Sequence, residues 1–438
     1  MAAFFVSNNQ TVMKKIKPII LKGTKDYLPK DMAKRNLVMS KIRRIFERFG
    51  YDRIETPILN SAEIILGKYG EEGDKLTYNF KDNGGRSLAL PYDLTVPFAR
   101  LVAANWSKLP IPFKRYQIQR VWRADKPQKG RQREFYQCDI DIIGTKSLIC
   151  EAEIAKIITT VFEELGFKKF LVKLNSRRLL NSILASFGIK EVAPVIRVID
   201  KLAKVGKEAV VEMLDEIGIK DAQKLMELLE PEDTNEATFN KLNDFDTGEL
   251  KEFFELCDLL GVPTGKIQFD PSLARGLDYY TGISFEVYSS EAPFGALCAG
   301  GRYDDLCSMF CDKDFSGVGV AFGFSRIILA LEETGKLDDV GLTSKALVTV
   351  FDERSIPDSL AIYRELLDFG INSEVYFETA KLVKQFKYAD KKEIPFVVIR
   401  GDEERERNEV TVKNMKTGKQ KTIPKKQLCN YLKNYTNV

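Results

Sequence analysis

The sequence predicts an α+β protein built on a largely antiparallel sheet, interrupted by a helical insertion and followed by a small α/β domain. Three observations carry that reading. Stretches rich in β-branched and aromatic residues at Arg53–Ile58, Leu76–Phe80, Ser87–Leu90, Phe113–Trp122 and Phe135–Ile143 include neighbours with no helical pattern between them, which favours antiparallel pairing over βαβ crossovers. Between residues 175 and 268 the texture changes to charged segments with Leu/Ile periodicity. From residue 345 onward strand and helix patterns alternate, the signature of an α/β unit with a mixed sheet.

The elements follow in order. Residues 1–20 read as a mobile lead-in. From Asp31, the positions Val38, Ile42, Ile45, Phe46 and Phe49 recur at helical spacing, and Gly50 stands where a left-handed cap belongs. The strands are parted by turn signals at Asp82-Asn83-Gly84-Gly85 and Lys129-Gly130. Helices are predicted over Glu191–Leu202, Lys207–Ile217 and Ala222–Leu229, with Asp233-Thr234-Asn235 and Pro263 punctuating the end of the insertion. Strand and glycine signals return from Lys266 to Gly323, so sequence on both sides of the insertion completes one sheet. After a linker at Gly335–Ser344 come strand Ala346–Phe351, helix Pro357–Phe369, strand Asn372–Phe377, helix Leu382–Lys391 and strands Pro395–Arg400 and Glu409–Lys413; the turn Lys416-Thr417-Gly418 then leads to a closing helix. The resulting segments are 1–20, 21–174, 175–268, 269–335, 336–344 and 345–438.

Composition removes several chemistries. The 438 residues include no histidine, although about nine would be expected in a chain this long. A Ser-His-Asp or Cys-His nucleophile pair, an imidazole base and a His-containing zinc site are therefore excluded. Seven cysteines lie scattered without CxxC pairs, which fits reduced thiols in the cytoplasm better than a disulfide framework. Cys298, Cys307 and Cys311 lack a fourth ligand at metal spacing and read as free thiols. There is no GxGxxG between strand and helix and no GxxxxGK[ST], so any ATP is bound without a Rossmann or Walker loop. Net charge is only +4, yet residues 378–426 carry 14 Lys/Arg against 8 Asp/Glu, a local +6 suited to a polyanion.

Three clusters carry chemistry. The first is the predicted hairpin from Arg120 to Gln137, which places Arg120, Arg123, Lys126, Lys129, Arg131 and Arg133 around a Pro/Gly turn; strand-borne arginines can grip a triphosphate from two sides. In the second, Arg275-Gly276-Leu277-Asp278-Tyr279-Tyr280-Thr281-Gly282, a fixed cation stands beside a tyrosine pair. The third, Gly317-Val318-Gly319 through Gly323-Phe324-Ser325-Arg326, lets backbone approach a flat ligand before an arginine opens the next helix. Singly, each has a plainer reading: a solvated basic turn, tyrosines packed in a core, a glycine-rich strand end.

In this order and spacing the clusters resemble motifs 2 and 3 of the class II aminoacyl-tRNA synthetases, with Pro57 at the end of a motif 1 that in that class forms the dimer interface. The box at 275–282 resembles the signature of the histidyl-tRNA synthetase family. Leu21–Pro29, Tyr92–Arg100, Gln137–Gly144, Ala299–Asp304 and Lys387–Lys391 through Gly401 match further stretches of it. The resemblance runs from about residue 20 to the end, loosely over the insertion. It implies a class II catalytic domain, a C-terminal anticodon-binding domain, a cytoplasmic homodimer, and the joining of histidine to tRNA(His) through an adenylate made from ATP with Mg²⁺, without a permanent cofactor or permanent metal ligand. Arg123 would hold the α-phosphate and the histidine carboxylate, and Phe135 would stack on adenine. Arg131, Arg133 and Arg326 would hold phosphates. Arg275 would be the distinctive catalytic cation. Asp93, Thr95 and Gln137 would take the α-amino group; Asp141 and Tyr280 would take the imidazole, with Tyr279 and Tyr303 lining the pocket. Lys126, Gln128 and Lys129 would meet the tRNA acceptor end. Asp125, Ser325 and Pro91 depart from commoner family forms, and the first two leave the Mg²⁺ contacts open.

Two other readings are an inactive synthetase-like regulatory subunit of histidine biosynthesis and a tRNA-sensing module. The first generally lacks the C-terminal domain and erodes the boxes retained here; the second would have to act without a kinase segment. The missing histidines gain meaning from the resemblance, since a chain that charges tRNA with histidine yet contains none can be translated when histidyl-tRNA is scarce. Selection of this kind, rather than drift, predicts that pulse-labelled synthesis of this chain holds up in histidine-starved cells while that of ordinary proteins of similar length falls. An equal fall would leave drift or deliberate engineering as the explanation.

Overall fold

The computed structural model describes residues 16–67, 70–276, 279–292, 294–304, 306, 308–310 and 315–436. Residues 1–15 of the expected lead-in, Leu277 and Asp278 of the second cluster, and Cys307 and Cys311 lie outside the described residues. The chain divides into two units, one of residues up to 26 with 41–334, the other of residues 27–40 with 335–438.

The larger unit is organised by an eight-stranded sheet whose order is Asp52–Arg53, Phe113–Trp122, Glu134–Ile143, Gly317–Phe322, Cys298–Tyr303, Ile283–Ser289, Phe170–Ser176 and Ile267–Phe269. Only the outermost pairing at each end is parallel; the rest are antiparallel. Strand alternation sets the two faces. Along Glu134–Ile143, Cys138, Ile140 and Ile142 are buried apolar residues, whereas the intervening Gln137, Asp139 and Asp141 are buried polar ones. On the apolar side, Phe46 stacks at 5.9 Å from Tyr116 and 5.5 Å from Phe322, and Phe162 of helix Ile149–Glu164 reaches Phe322 at 6.2 Å.

The helices Arg177–Ser186 through Gly248–Leu259 run between the strands Phe170–Ser176 and Ile267–Phe269, which pair with each other at the sheet edge. The segment thus leaves and re-enters the sheet at neighbouring points. The predicted helix Glu191–Leu202 is two, Val192–Ile199 and Leu202–Val205.

Other boundaries differ for identifiable reasons. The expected strand Arg53–Ile58 is only Asp52–Arg53, because beyond Ile54 the chain leaves the ladder toward the short sheet that starts at Asn60–Ser61. The stretch Leu76–Phe80 forms a strand only at Asn79–Lys81, since Leu76 and Thr77 close the turn of the preceding helix. In the smaller unit the turn at Lys416–Gly418 leads to a fifth strand, Gln420–Pro424, before the closing helix Leu428–Thr436. Three exposed polar residues, a single buried Ile423 and a closing proline hid it. That sheet runs Ser373–Val375, Ala346–Val348, Phe396–Ile399, Glu409–Asn414, Gln420–Pro424, parallel over the first three strands and antiparallel thereafter. Ala346, Val348, Phe396 and Val398 share one core with Ile362, Leu366, Leu428 and Leu432, while Leu347, Val397 and Ile399 share the other with Ala389. Helices therefore cover both faces.

A buried ion pair ties the long helix to the large sheet. Arg302 Nε and Nη2 donate to Glu151 at 2.7 and 2.5 Å, and Nη1 donates to Thr145 O at 2.6 Å and Ser316 Oγ at 2.7 Å. Removing one partner strands a buried charge. Glu151→Ala should therefore cost about 3–5 kcal/mol, read as a lower urea midpoint at unchanged slope, whereas the exposed Glu252→Ala should change stability by less than about 0.5 kcal/mol.

Candidate active site

The polar face of the large sheet floors a cavity of about 1390 Å³. The register places Asp141 opposite Arg115, Asp139 opposite Gln117 and Gln137 opposite Gln119. Arg115 Nη2 lies 2.5 Å from Asp141 Oδ2, with both side chains buried and the guanidinium 4.4 Å above the Phe98 ring. The Tyr303 hydroxyl donates to Asp141 Oδ1 at 2.6 Å. Burial pushes the Asp141 carboxyl up to about 6, against the opposing pull of Arg115 and the Tyr303 hydroxyl. Gly319, paired with Asp141 on the next strand, must lack a side chain, because a Cβ there would collide with this carboxylate.

Cations gather elsewhere along the same cavity. Arg123, at the end of the Phe113–Trp122 strand, donates from Nε to Tyr92 O at 2.9 Å and lies 4.2 Å from the Tyr92 ring and 5.4 Å from Phe135. Arg131, in the hairpin turn, donates to Asp125 Oδ2 at 2.9 Å. Arg326, in the first turn of helix Phe324–Glu333, donates to Ala296 O at 2.8 Å. Burial and repulsion from Arg131 and Arg123 lower the Arg326 pKa. Three guanidiniums that repel one another around an open space form a site for a polyanion.

Arg133 is placed apart from the other hairpin arginines. Its Nε donates to Asp125 O at 3.1 Å and Nη1 to Lys22 O at 3.1 Å, and it does not line the cavity. Its own amide also donates to Gly23 O at 2.7 Å, so Arg133 pins the hairpin to the Lys22–Gly23 segment. Lys126, Gln128 and Lys129 are exposed outside the cavity lining, and Lys129 pairs with Glu333.

Arg275 lines the cavity beside Glu286, with which it forms a close ion pair; the Tyr288 hydroxyl donates to the other Glu286 oxygen at 2.5 Å. Tyr280 lies over the guanidinium at 5.5 Å, and the Tyr279 ring packs tilted against Tyr280 at 4.7 Å. Burial opposes the Arg275 charge, but Tyr280 and Glu286 outweigh it and raise the pKa, so the residue stays a cation. Asp93 Oδ1 accepts from the Thr95 and Val96 amides at 3.1 Å each, fixing the start of helix Thr95–Asn105 at the cavity wall. Asp141 and Tyr280 both line the cavity, with Asp141 held by Arg115 and Tyr303 and Tyr280 set against Arg275.

Four participants were not singled out from the sequence. Arg115 and Asp139 carry a signal in retrospect, polar residues at every second position of otherwise apolar strands. Glu286 is the single acid of strand Ile283–Ser289. Asp200, from the helical segment, lines the cavity, accepts from the Gly276 amide and feels the Arg275 charge; nothing local in the sequence marks it. Ser325 Oγ is buried and has no hydrogen-bond partner. Among the described residues no three acidic or thiol side chains gather as a metal site, and Cys298 is a buried free thiol.

Comparison with known proteins adds independent findings. The profile described as histidyl-tRNA synthetase matches residues 23–327, and that of an anticodon binding domain matches residues 345–435. A histidine–tRNA ligase of Cytophaga hutchinsonii is 39% identical, the match covering 92% of this chain and 97% of the relative. One of Clostridium tetani is 37% identical, covering 96% and 99%. The crystal structure of histidyl-tRNA synthetase from a Nostoc species superposes with a TM-score of 0.85 at 29% identity, covering 96% of this chain and 100% of that one.

Proposed function

The chain belongs to the histidyl-tRNA synthetase family, and from that premise we propose how its side chains divide the work of an ATP-dependent ligase that activates histidine as the adenylate and passes it to the 3′ end of tRNA(His). The observation that carries the assignment is the convergence of Arg123, Arg131 and Arg326 on one cavity with Arg275. A regulatory subunit that only senses histidine would have no need of so many arginines lining it.

Adenylation displaces pyrophosphate at the α-phosphorus by the histidine carboxylate. The nucleophile is already an anion, so the step needs alignment and charge neutralisation more than a base. Arg123 bridges the α-phosphate and the incoming carboxylate, Arg131 and Arg326 hold the remaining phosphates, and Phe135 stacks on adenine. Arg275, kept rigid by Glu286 and Tyr288, neutralises the charge that builds at the α-phosphate. Asp93, Thr95 and Gln137 receive the α-amino group. Asp141 accepts from the ring N–H, Tyr280 serves the other ring edge, and Tyr279 and Tyr303 close the walls. Mg²⁺ enters with ATP as substrate, since the Asp125 carboxylate is committed to Arg131.

Lys126, Gln128 and Lys129, exposed on the hairpin, meet the tRNA acceptor end, and the basic C-terminal unit meets the anticodon. The protein acts as a cytoplasmic homodimer; none of its described helices is long and apolar enough to cross a membrane.

Histidine- and Mg²⁺-dependent exchange of pyrophosphate into ATP tests the assignment. Arg275→Ala should lower it about 10²–10³-fold with tRNA binding intact. No exchange by the unaltered chain at saturating histidine would favour the sensing reading. A pH series tests the ring contact. Because the Asp141 carboxyl sits at about 6, its accepting form is lost as pH falls through that value. The KM for histidine should therefore climb below pH 7 while that for ATP stays flat, and Asp141→Asn should retain only the component from the substrate's own ring. An unchanged profile in Asp141→Asn would remove Asp141 from the ring contact.

A further inference from the structure

Two acceptor atoms on the cavity floor are left without a donor. Asp139 is 2% exposed and Gln137 is 8% exposed, and both line the cavity. Asp139 Oδ1 and Gln137 Oε1 are buried, and neither has a hydrogen-bond partner within the chain. They stand two apart on one strand, hence on one face. The strand partners offer them nothing: opposite Asp139 are Gln117, whose amide nitrogen is spent on Thr56 Oγ1 and Gln119 Oε1, and Ala321. Orphaned buried acceptors cost about 1–3 kcal/mol each, and more if charged, so their persistence beside a cavity points to a donor that arrives from outside.

We propose that Asp139 is a further histidine-binding residue, its carboxylate receiving the substrate α-ammonium together with Gln137 and Asp93. An ammonium supplies three N–H donors and one positive charge, which matches an acidic floor in need of donors. The proposal rests on the histidine-ligase reading and extends it to a residue that reading had not used.

The electrostatics add a consequence. Asp139 faces Arg115 and Arg123 from the neighbouring strand, Asp141 on its own strand, Asp93 from the segment before helix Thr95–Asn105, and Cys298 from the strand beyond. Burial raises its pKa well above the usual carboxylate range; Asp141 and Asp93 push the same way, and the two arginines oppose them. In the empty site the balance of these influences favours the protonated form of Asp139. An incoming ammonium favours the ionised form, so the proton leaves to solvent as histidine binds, and affinity rises with pH until Asp139 is already ionised without ligand.

Binding calorimetry on the full chain, in buffers of different ionisation enthalpy, compares histidine with its deamino analogue, imidazole propionate. The unaltered chain should release a proton on binding histidine and none attributable to Asp139 on binding the analogue. Asp139→Asn should weaken histidine by about tenfold to a hundredfold, leave the analogue within about twofold, and abolish the release. Equal weakening of both ligands, or of neither, would overturn the proposal, as would absence of proton release from the unaltered chain. ATP binding reports whether the variant folds; should it not fold, the proton count on the unaltered chain still decides. Failure of the unaltered chain to catalyse histidine-dependent exchange would sink the ligase reading instead, and is scored separately.

Discussion

A charge buried under a binding site must find its partner within the protein, and the contact of Arg115 with Asp141 on the polar face of the large sheet is where this chain meets that constraint. Arg115 is wholly buried, with Asp141 as its counter-charge 2.5 Å away and the Phe98 ring covering it at 4.4 Å. The pairing fixes the carboxylate, the Tyr303 hydroxyl fixes its other oxygen, and a glycine on the next strand makes room. Tyr303 is in turn placed by the adjacent Arg302, whose bonds to Glu151 anchor the strand to the helix behind it. The substrate-facing row thus inherits its geometry from Arg115 and Arg302, cations that lie behind it. Breaking a buried pair costs more than its formation contributes, so the arrangement yields precision of placement more than stability.

Against this background the unpaired groups stand out. Arg123 spends its Nε on a carbonyl, and Arg326 likewise donates to a carbonyl while two other guanidiniums depress its pKa. Asp139 lies among both signs, with Asp141 and Asp93 set against Arg115 and Arg123. A cavity holding both a set of mutually repelling cations and a set of mutually repelling acids is built for ligands that carry both signs. A nucleoside triphosphate satisfies the first set. An amino acid offers its carboxylate to the cations and its ammonium to the acids, which aligns it between them.

Much of this was legible in the sequence because the relevant signals are local. The hairpin Phe113–Ile143, the periodic helix around Val38 to Phe46 and the alternating C-terminal unit follow from residue pattern alone, as does the clustering of arginines about a Pro/Gly turn. The failures share one cause: the outcome depended on what lay across the fold. Arg133 reads as one more phosphate ligand until the segment at Lys22 is found beside it. Gln420–Pro424 is too polar to announce a strand and becomes one by pairing with Glu409–Asn414. Asp200 comes from helices more than seventy residues before the arginine box it touches. The polar-apolar alternation of Gln137 to Ile142 would ordinarily mean one face in water; here both faces are buried, and only the fold shows that the polar one is a floor.

The absence of histidine then has a structural counterpart. Without imidazole, side chains that titrate near neutrality are carboxyls displaced upward or thiols and amines displaced downward. The thiols move the wrong way, since burial pushes Cys150 to about 11, Cys257 to about 12 and Cys298 well above its usual value. The carboxyls move the right way, with Asp141 at about 6 and Asp139 raised well above its usual value. Both lie on the cavity floor, and neither is asked to shuttle a proton during adenylation, because the attacking carboxylate brings its own charge. Proton chemistry in this site is therefore a matter of binding, while the chemical step rests on arginines whose charge does not vary with pH. A chain that makes the histidyl adenylate can do so with no histidine because the substrate itself supplies the nucleophile.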